Sequence, residues 1–269
     1  MCIRESNGIK MKFLIINLKK AEQRKEYISK LCQKYQLDYE IIQAVEGKAI
    51  SKQEYLNIVD YEKMLNFHKR ELGLGELGCS LSHKKCYEKI LQENLKYAVI
   101  LEDDAYFDES LLEFLQHFNE FPKDLELLLL GHQRQVYNDD GFRIESPYSR
   151  RFAKKILNCK IRRLVARGNG TYGYFITKNG ALKLLSHLEK IYLPIDALTC
   201  NEKVLNTYAL FPVLVYTHEN FMLESSTQDD KKFLKKKNKI SKYIKKIHIF
   251  IKYFLPSLKK VRPYENIDC

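Results

Sequence analysis

The chain has 269 residues, 45% hydrophobic and 12% aromatic, with 11 Gly and 6 Pro, which excludes a collagen-like or generally disordered polypeptide and suits one large domain or two small ones. Its 46 Lys and Arg against 34 Asp and Glu give a formal charge of +12. Twelve Lys and one Arg fall between Lys231 and Arg262 without a carboxylate, and removing those 13 leaves 33 basic against 34 acidic residues, a neutral body.

Residues 1–10 read as an N-terminal extension, with Met11 a second candidate start. The apolar run Phe13–Ile16 is too short for a signal-peptide core, which points to a cytosolic chain. Lys12–Leu18 is predicted as a buried strand, followed by a helix over Lys20–Lys34 with Ala21, Arg24, Ile28, Leu31 and Tyr35 on one face. Tyr39–Val45 is a second strand, and a polar, partly helical stretch continues to Arg70. Gly73, Gly75 and Gly78 mark a turn before a helix that ends near Asn94. Tyr97–Leu101 is an apolar strand that stops at Glu102-Asp103-Asp104. A helix over Ser110–Phe118 and a strand over Leu125–Leu130 come next. After a charged, turn-rich stretch, Ile161–Ala166 and Thr171–Thr177 read as strands and Asn179–Leu188 as a helix. A short helix over Ala197–Tyr208 and a strand over Leu210–Thr217 complete the body. Strands alternating with helices indicate an α/β sheet covered on both faces.

Beyond residue 230 the composition changes. Ile240, Tyr243, Ile244, Ile247, Ile251, Phe254 and Leu258 recur at helical spacing among lysines. Ile247–Leu255 is too short to span a bilayer, so residues 231–269 read as a basic amphipathic tail whose segment 231–262 lies on an anionic membrane surface. The bland alternative is a solvated helix capping the domain. The tail carries no base-reading motif, which argues against a specific nucleic-acid partner. Seven scattered Cys lack a C-x-x-C pair, so neither a zinc module nor a secreted disulfide framework is indicated.

Three consecutive carboxylates after a buried strand repel one another unless positive charge sits among them. Ligands of open α/β sheets bind outside the carboxyl ends of strands, where Glu102-Asp103-Asp104 falls. Hard oxygen donors suit Mn²⁺ or Mg²⁺ bridging to a diphosphate; the alternative is a solvated acidic turn before the helix at Ser110. His83 on its helix and His218 after a strand are weaker candidates, each also explicable as structural. The Gly73–Gly78 run lacks the ending of a P-loop and reads as a turn before a helix N-terminus facing an anion. Gly168, Gly170 and Gly173, with Asn169 and Thr171, either admit a ligand close to the backbone or form a tight turn.

Taken in order, the motifs resemble those of glycosyltransferase family 25, over about residues 13–228. They are Ile15-Ile16-Asn17-Leu18 with Arg24, then Gly75-Glu76-Leu77-Gly78-Cys79-Ser80-Leu81-Ser82-His83, Leu101-Glu102-Asp103-Asp104, Gly170-Thr171-Tyr172-Gly173-Tyr174 and Pro194-Ile195-Asp196. The resemblance implies a GT-A-type, Rossmann-like mixed sheet with helices on both faces, in a catalytic domain over 11–230. It also implies an inverting, metal-dependent transfer of galactose from UDP-galactose to a lipid-linked lipooligosaccharide or lipopolysaccharide acceptor at the inner face of the cytoplasmic membrane. Another UDP-hexose, UDP-glucose or an N-acetylhexosamine, is the alternative donor, and a non-catalytic membrane-peripheral module the alternative class. Glu102, Asp103 and Asp104 are then the metal and diphosphate ligands, with His218 as an additional one. Asn17, Arg24, Ser82, His83, Gly170 and Thr171 carry over as donor-site candidates. Inversion requires a base distinct from the metal ligands. Asp196 is the first choice, with an N-cap of the following helix as its alternative role; Glu202 and Glu224 follow. With no Trp in the chain, Tyr172 or Tyr174 is expected to stack on the acceptor sugar.

Overall fold

Runs as continuously apolar as Ala98–Leu101 and Leu127–Leu130 need cover on both faces, and the fold provides it. The computed structural model describes residues 11–132, 135–137, 143–145, 147–168, 172–221, 247 and 249–258. An eight-stranded mixed sheet forms the centre. Its strands are β1 (Lys12–Asn17), β2 (Tyr39–Gln43), β3 (Tyr97–Glu102), β5 (Leu127–Gly131), β8 (Lys154–Ile156), β9 (Cys159–Arg163), β10 (Gly173–Thr177) and β11 (Thr207–Phe211). They are ordered β2-β1-β3-β10-β5-β11-β9-β8. β1 is parallel to β2 and β3, β5 is parallel to β11, and β10 runs antiparallel between β3 and β5. Two further pairs lie outside it: β4 (Ala105–Tyr106) with β12 (Tyr216–Thr217), and β6 (Gln135–Tyr137) with β7 (Arg143–Glu145).

The two-residue period of the strands divides the core. Leu14, Ala98, Ile100, Leu127 and Leu129 face one layer, with Cys86, Tyr87 and Ile90 of α4 (Leu74–Gln92) and Ala181 and Leu184 of α6 (Lys178–His187). Phe13, Ile15, Val99, Leu101, Leu128 and Leu130 face the other, with Ile28 and Cys32 of α1 (Glu22–Lys34) and Leu111 and Leu115 of α5 (Glu109–Gln116). The polar stretch after β2 forms two short helices, α2 (Lys52–Ile58), with a Ser51–Glu54 capping box, and α3 (Tyr61–Phe67), capped by Asp60.

Where the chain departs from its sequence pattern, tertiary pairing decides. The helix expected over 197–208 shortens to α7 (Ile195–Thr199), because Thr207–Ala209 are drawn into β11 beside Leu127–Leu129. The Thr207 hydroxyl then donates to the carbonyl of Thr199 at 2.7 Å. The strand expected over 210–217 stops at Phe211, since Pro212 offers no N–H to a ladder; the chain resumes as β12 against β4.

The glycine run expected as a turn lies in the helix from Leu74 onward, with only Gly73 outside it as the N-cap, and its glycines have a packing explanation. A Cβ on Gly78 would lie 2.7 Å from both the Val45 carbonyl oxygen and the Gly47 nitrogen, so α4 approaches the β2 exit loop backbone to backbone. Gly73 is the N-cap of α4, and its N–H is taken by the Glu76 carboxylate at 2.9 Å, with Arg70 on the same carboxylate at 2.8 Å. The anion expected at this helix N-terminus is thus a side chain of α4 itself.

Most of the basic tail lies outside the described residues. Its described part comprises Ile247, Ile249, a π-helical turn over Phe250–Phe254 and the helical turn Leu255–Ser257. It docks on the body through the Arg150 N–H, which donates to the Ser257 carbonyl at 2.8 Å, and through the Arg150 guanidinium 4.9 Å from the Phe254 ring centroid. Ile247, Phe250, Ile251 and Leu255 stay exposed. Among the described residues no helix is long and apolar enough to cross a membrane.

Candidate active site

The chain leaves β1 toward β2 on one flank and returns to β3 on the other, so the sheet's topological switch point falls between β1 and β3. Ligands of open α/β sheets bind at such a point, beyond the strand carboxyl ends. Asn17 ends β1 and Glu102, paired with Ile16, ends β3. The acidic triplet therefore emerges where a binding crevice is expected.

β3 ends at Glu102, and the turn that follows carries Asp103 and Asp104 to the other side. The buried Asp103 accepts a 2.7 Å hydrogen bond from Asn17 Nδ2 and lies 3.3 Å from Arg24 of α1. Asp104 lies 3.6 Å from the same guanidinium, and its carbonyl accepts the His218 N–H at 2.8 Å. The β4–β12 pair brings His218 there. The His218 ring packs on Tyr27 and Phe221, with centroids 4.6 and 5.3 Å away, and Arg24 lies over the Phe221 ring. Glu102 instead groups with Cys79 and His83 of α4, one donor atom of each lying within 4.8 Å of the others.

Asp103 and Asp104 share the Arg24 guanidinium, and Glu102 feels its charge from farther off. Burial, followed by the charges of Asp104 and Asp103, pushes the Glu102 carboxyl up to about 8. Burial also raises Asp103 and Asp104, outweighing Arg24, which pulls both down. A set of hard oxygen donors with surplus negative charge fits Mn²⁺ or Mg²⁺.

Asp196 stands in the first turn of α7, whose N-cap is Pro194, so the N-cap role expected as its alternative falls to another residue. Its side chain keeps contact with solvent, yet the protein around it pushes its carboxyl above the ordinary range. It is close enough to raise Cys79 and Glu102 in turn. α7 is held against α4 by the Ile195 N–H, which donates to Ser80 Oγ at 3.1 Å. Glu202 lies in the turn after α7. Gly170, Thr171 and Glu224 are outside the described residues.

Ser82 is buried, its hydroxyl accepting the Val45 N–H at 2.8 Å and donating to the Gly78 carbonyl at 2.6 Å, which ties α4 to the β2 exit loop. His83 is buried as well. Its Nδ1 meets the Tyr174 hydroxyl at 2.7 Å, which meets the Tyr87 hydroxyl at 2.7 Å, and burial holds the imidazole neutral, down to about 4. Tyr174 is only 1% exposed, so it cannot stack on an acceptor sugar: β10 is a central strand with both faces covered. Tyr172 is half-buried at the head of β10, where its carbonyl accepts the Glu102 N–H at 3.5 Å. Cys79, Tyr27 and Phe221 were not anticipated as neighbours of the site. The four-residue spacing of Cys79 and His83 on one helix is a readable signal for the first; the two aromatics leave none, since only the β4–β12 pairing brings their segments together.

An α/β protein with a carboxylate-rich site at its sheet's switch point is the class that this geometry defines. Residues 10–199 match the model described as Glycosyltransferase family 25 (LPS biosynthesis protein), and the chain belongs to that family. Procollagen galactosyltransferase 1-B of Xenopus laevis is 32% identical over 196 residues, covering 68% of this chain and 29% of the relative. Procollagen galactosyltransferase 2 of Homo sapiens is 25% identical over 181 residues, covering 64% and 26%. A glycosyltransferase 25 family member of Drosophila melanogaster is 28% identical over 203 residues, covering 69% and 29%. The chain thus spans about three tenths of the length of these curated relatives.

Proposed function

We propose that this chain is an inverting glycosyltransferase of GT-A type that moves galactose from UDP-galactose to a hydroxyl of a lipid-linked lipooligosaccharide or lipopolysaccharide acceptor. The family membership supports glycosyl transfer, the relatives' names support galactose, and the family description supports the acceptor. The observation that carries the reading is the meeting of Asn17, Arg24, Asp103 and Asp104 beyond the ends of β1 and β3.

Glu102 and Asp104, with His218 next to the Asp104 backbone, would hold Mn²⁺ or Mg²⁺, which when bound supplies charge stabilisation for the departing diphosphate. The chain's own residues do the rest. Asn17 and Arg24 fix the Asp103 carboxylate in one orientation, so that the strand-end carboxylates are set before the donor arrives. Arg24 also adds a positive charge beside the diphosphate. Asp196, its carboxyl raised above the ordinary range by the protein around it and still open to solvent, takes the proton from the acceptor hydroxyl as that oxygen attacks the anomeric carbon. Tyr172, at the head of β10, is the tyrosine left to face the acceptor.

The basic segment 231–262 is proposed to hold the enzyme on the inner face of the cytoplasmic membrane, where a lipid-linked acceptor is presented. Exposed Ile247, Phe250, Ile251 and Leu255 beside its lysines support this. Incubation with a panel of UDP-sugars, Mn²⁺ and a sugar acceptor tests the reaction: UDP release is expected to be fastest from UDP-galactose, and release from none of the panel would refute transfer.

A further inference from the structure

On the α4 side of Glu102, away from Arg24, three chemically different donors converge. Cys79 and His83 are four residues apart, on one face of α4, and Glu102 reaches them from the end of β3. One sulfur, one ring nitrogen and one carboxylate oxygen all lie within 4.8 Å of one another. Cys79 is a free thiol, partly buried at the edge of the core. Tetrahedral Zn²⁺, with ligand bonds of about 2.0–2.3 Å, would need these atoms about 3.5 Å apart, a contraction within reach of side-chain rotation.

His83 Nδ1 is already engaged by the Tyr174 hydroxyl, itself bonded to Tyr87. This leaves Nε2 as the ring's remaining donor atom and fixes the ring plane, as an outer partner does for a metal-bound histidine. Thiolate with imidazole selects Zn²⁺ over Mn²⁺ or Mg²⁺, which favour oxygen.

We propose that Cys79, His83 and Glu102 form a binding site for a soft divalent cation of the Zn²⁺ type, open to the crevice at its fourth position. The site shares Glu102 with the carboxylate cluster but does not depend on glycosyl transfer.

Co²⁺ titrated into the reduced full chain tests the site, because thiolate ligation produces an intense near-ultraviolet charge-transfer band that oxygen ligands do not. The expected result is one equivalent of that band, displaced by one equivalent of Zn²⁺, lost in Cys79→Ser and weakened in His83→Gln. Asp104→Ala should leave it in place, which separates this site from the oxygen cluster. Circular dichroism of each variant verifies that the fold persists; the near-isosteric Cys79→Ser carries the test if His83→Gln does not fold. No thiolate band in the wild type, or an undiminished band in Cys79→Ser, overturns the proposal.

Discussion

Asn17 and Asp103, 86 residues apart in the chain, meet through a 2.7 Å hydrogen bond from the amide Nδ2 to the carboxylate Oδ2. The same amide donates to the Ala21 carbonyl at 3.1 Å, so the end of β1, the entry to α1 and the turn after β3 are joined by one side chain. Arg24, one turn into α1, completes the arrangement on Asp103 and Asp104.

Removing that guanidinium leaves two mostly buried carboxylates facing each other. Arg24→Gln is expected to cost on the order of 2 kcal/mol at neutral pH, below the full value of a sealed ion pair because the contacts are long and not fully enclosed. Both carboxylates can take up protons to relieve the repulsion, so the deficit should shrink toward pH 4. Urea unfolding of both proteins at the two pH values measures this.

Glu102 gives a pH dependence of definite sign. Burial raises it from 4.5 to about 8, so its protonated form favours the fold fully below 4.5, and that contribution is lost as the pH rises to about 8. Glu102→Gln cannot ionise. Relative to the wild type it should show no gain near pH 4, a growing gain up to about pH 8 and a constant one beyond. Thermal midpoints in metal-free buffer follow the difference, and a gain that falls with pH would remove the burial account.

Asp196→Asn keeps the shape of the first turn of α7 and removes the basicity. Transfer should fall by about 10²- to 10⁴-fold, the usual contribution of a general base, while calorimetry still shows UDP and metal binding. Near-normal turnover would take Asp196 out of the base role.

The exposed face of the tail can be tested without deleting the segment that docks on Arg150. Ile247→Ser with Ile251→Ser should lower co-flotation with anionic vesicles at least about tenfold, since each apolar side chain withdrawn from water contributes about 1.5–3 kcal/mol. Unchanged flotation would place membrane attachment elsewhere.

Much of the architecture was legible in local pattern. β1, β3 and β5 were visible as apolar runs, α1 from its periodicity and α4 as the stretch after the glycines; Glu102–Asp104 stood out as charge at the end of a buried strand. What was not legible depends on distant partners. Thr207–Phe211 is a strand because Leu127–Leu129 offer it an edge, whereas the local pattern read the start of that stretch as helix. Glu102, Asp103 and Asp104 look like one cluster in sequence, yet Glu102, the last residue of β3, goes to α4, and Asp103 and Asp104, in the turn beyond it, go to α1. Tyr174 looked available to a sugar because nothing in Gly173–Thr177 says that β10 will lie between β3 and β5.

The most direct test of the account is a calorimetric titration of UDP into the wild type and Asp104→Ala, each with and without Mn²⁺. Metal-dependent UDP binding in the wild type and its loss in Asp104→Ala is the predicted result. UDP binding that ignores Mn²⁺, or that is unchanged in Asp104→Ala, would contradict a metal-assisted diphosphate site at the ends of β1 and β3.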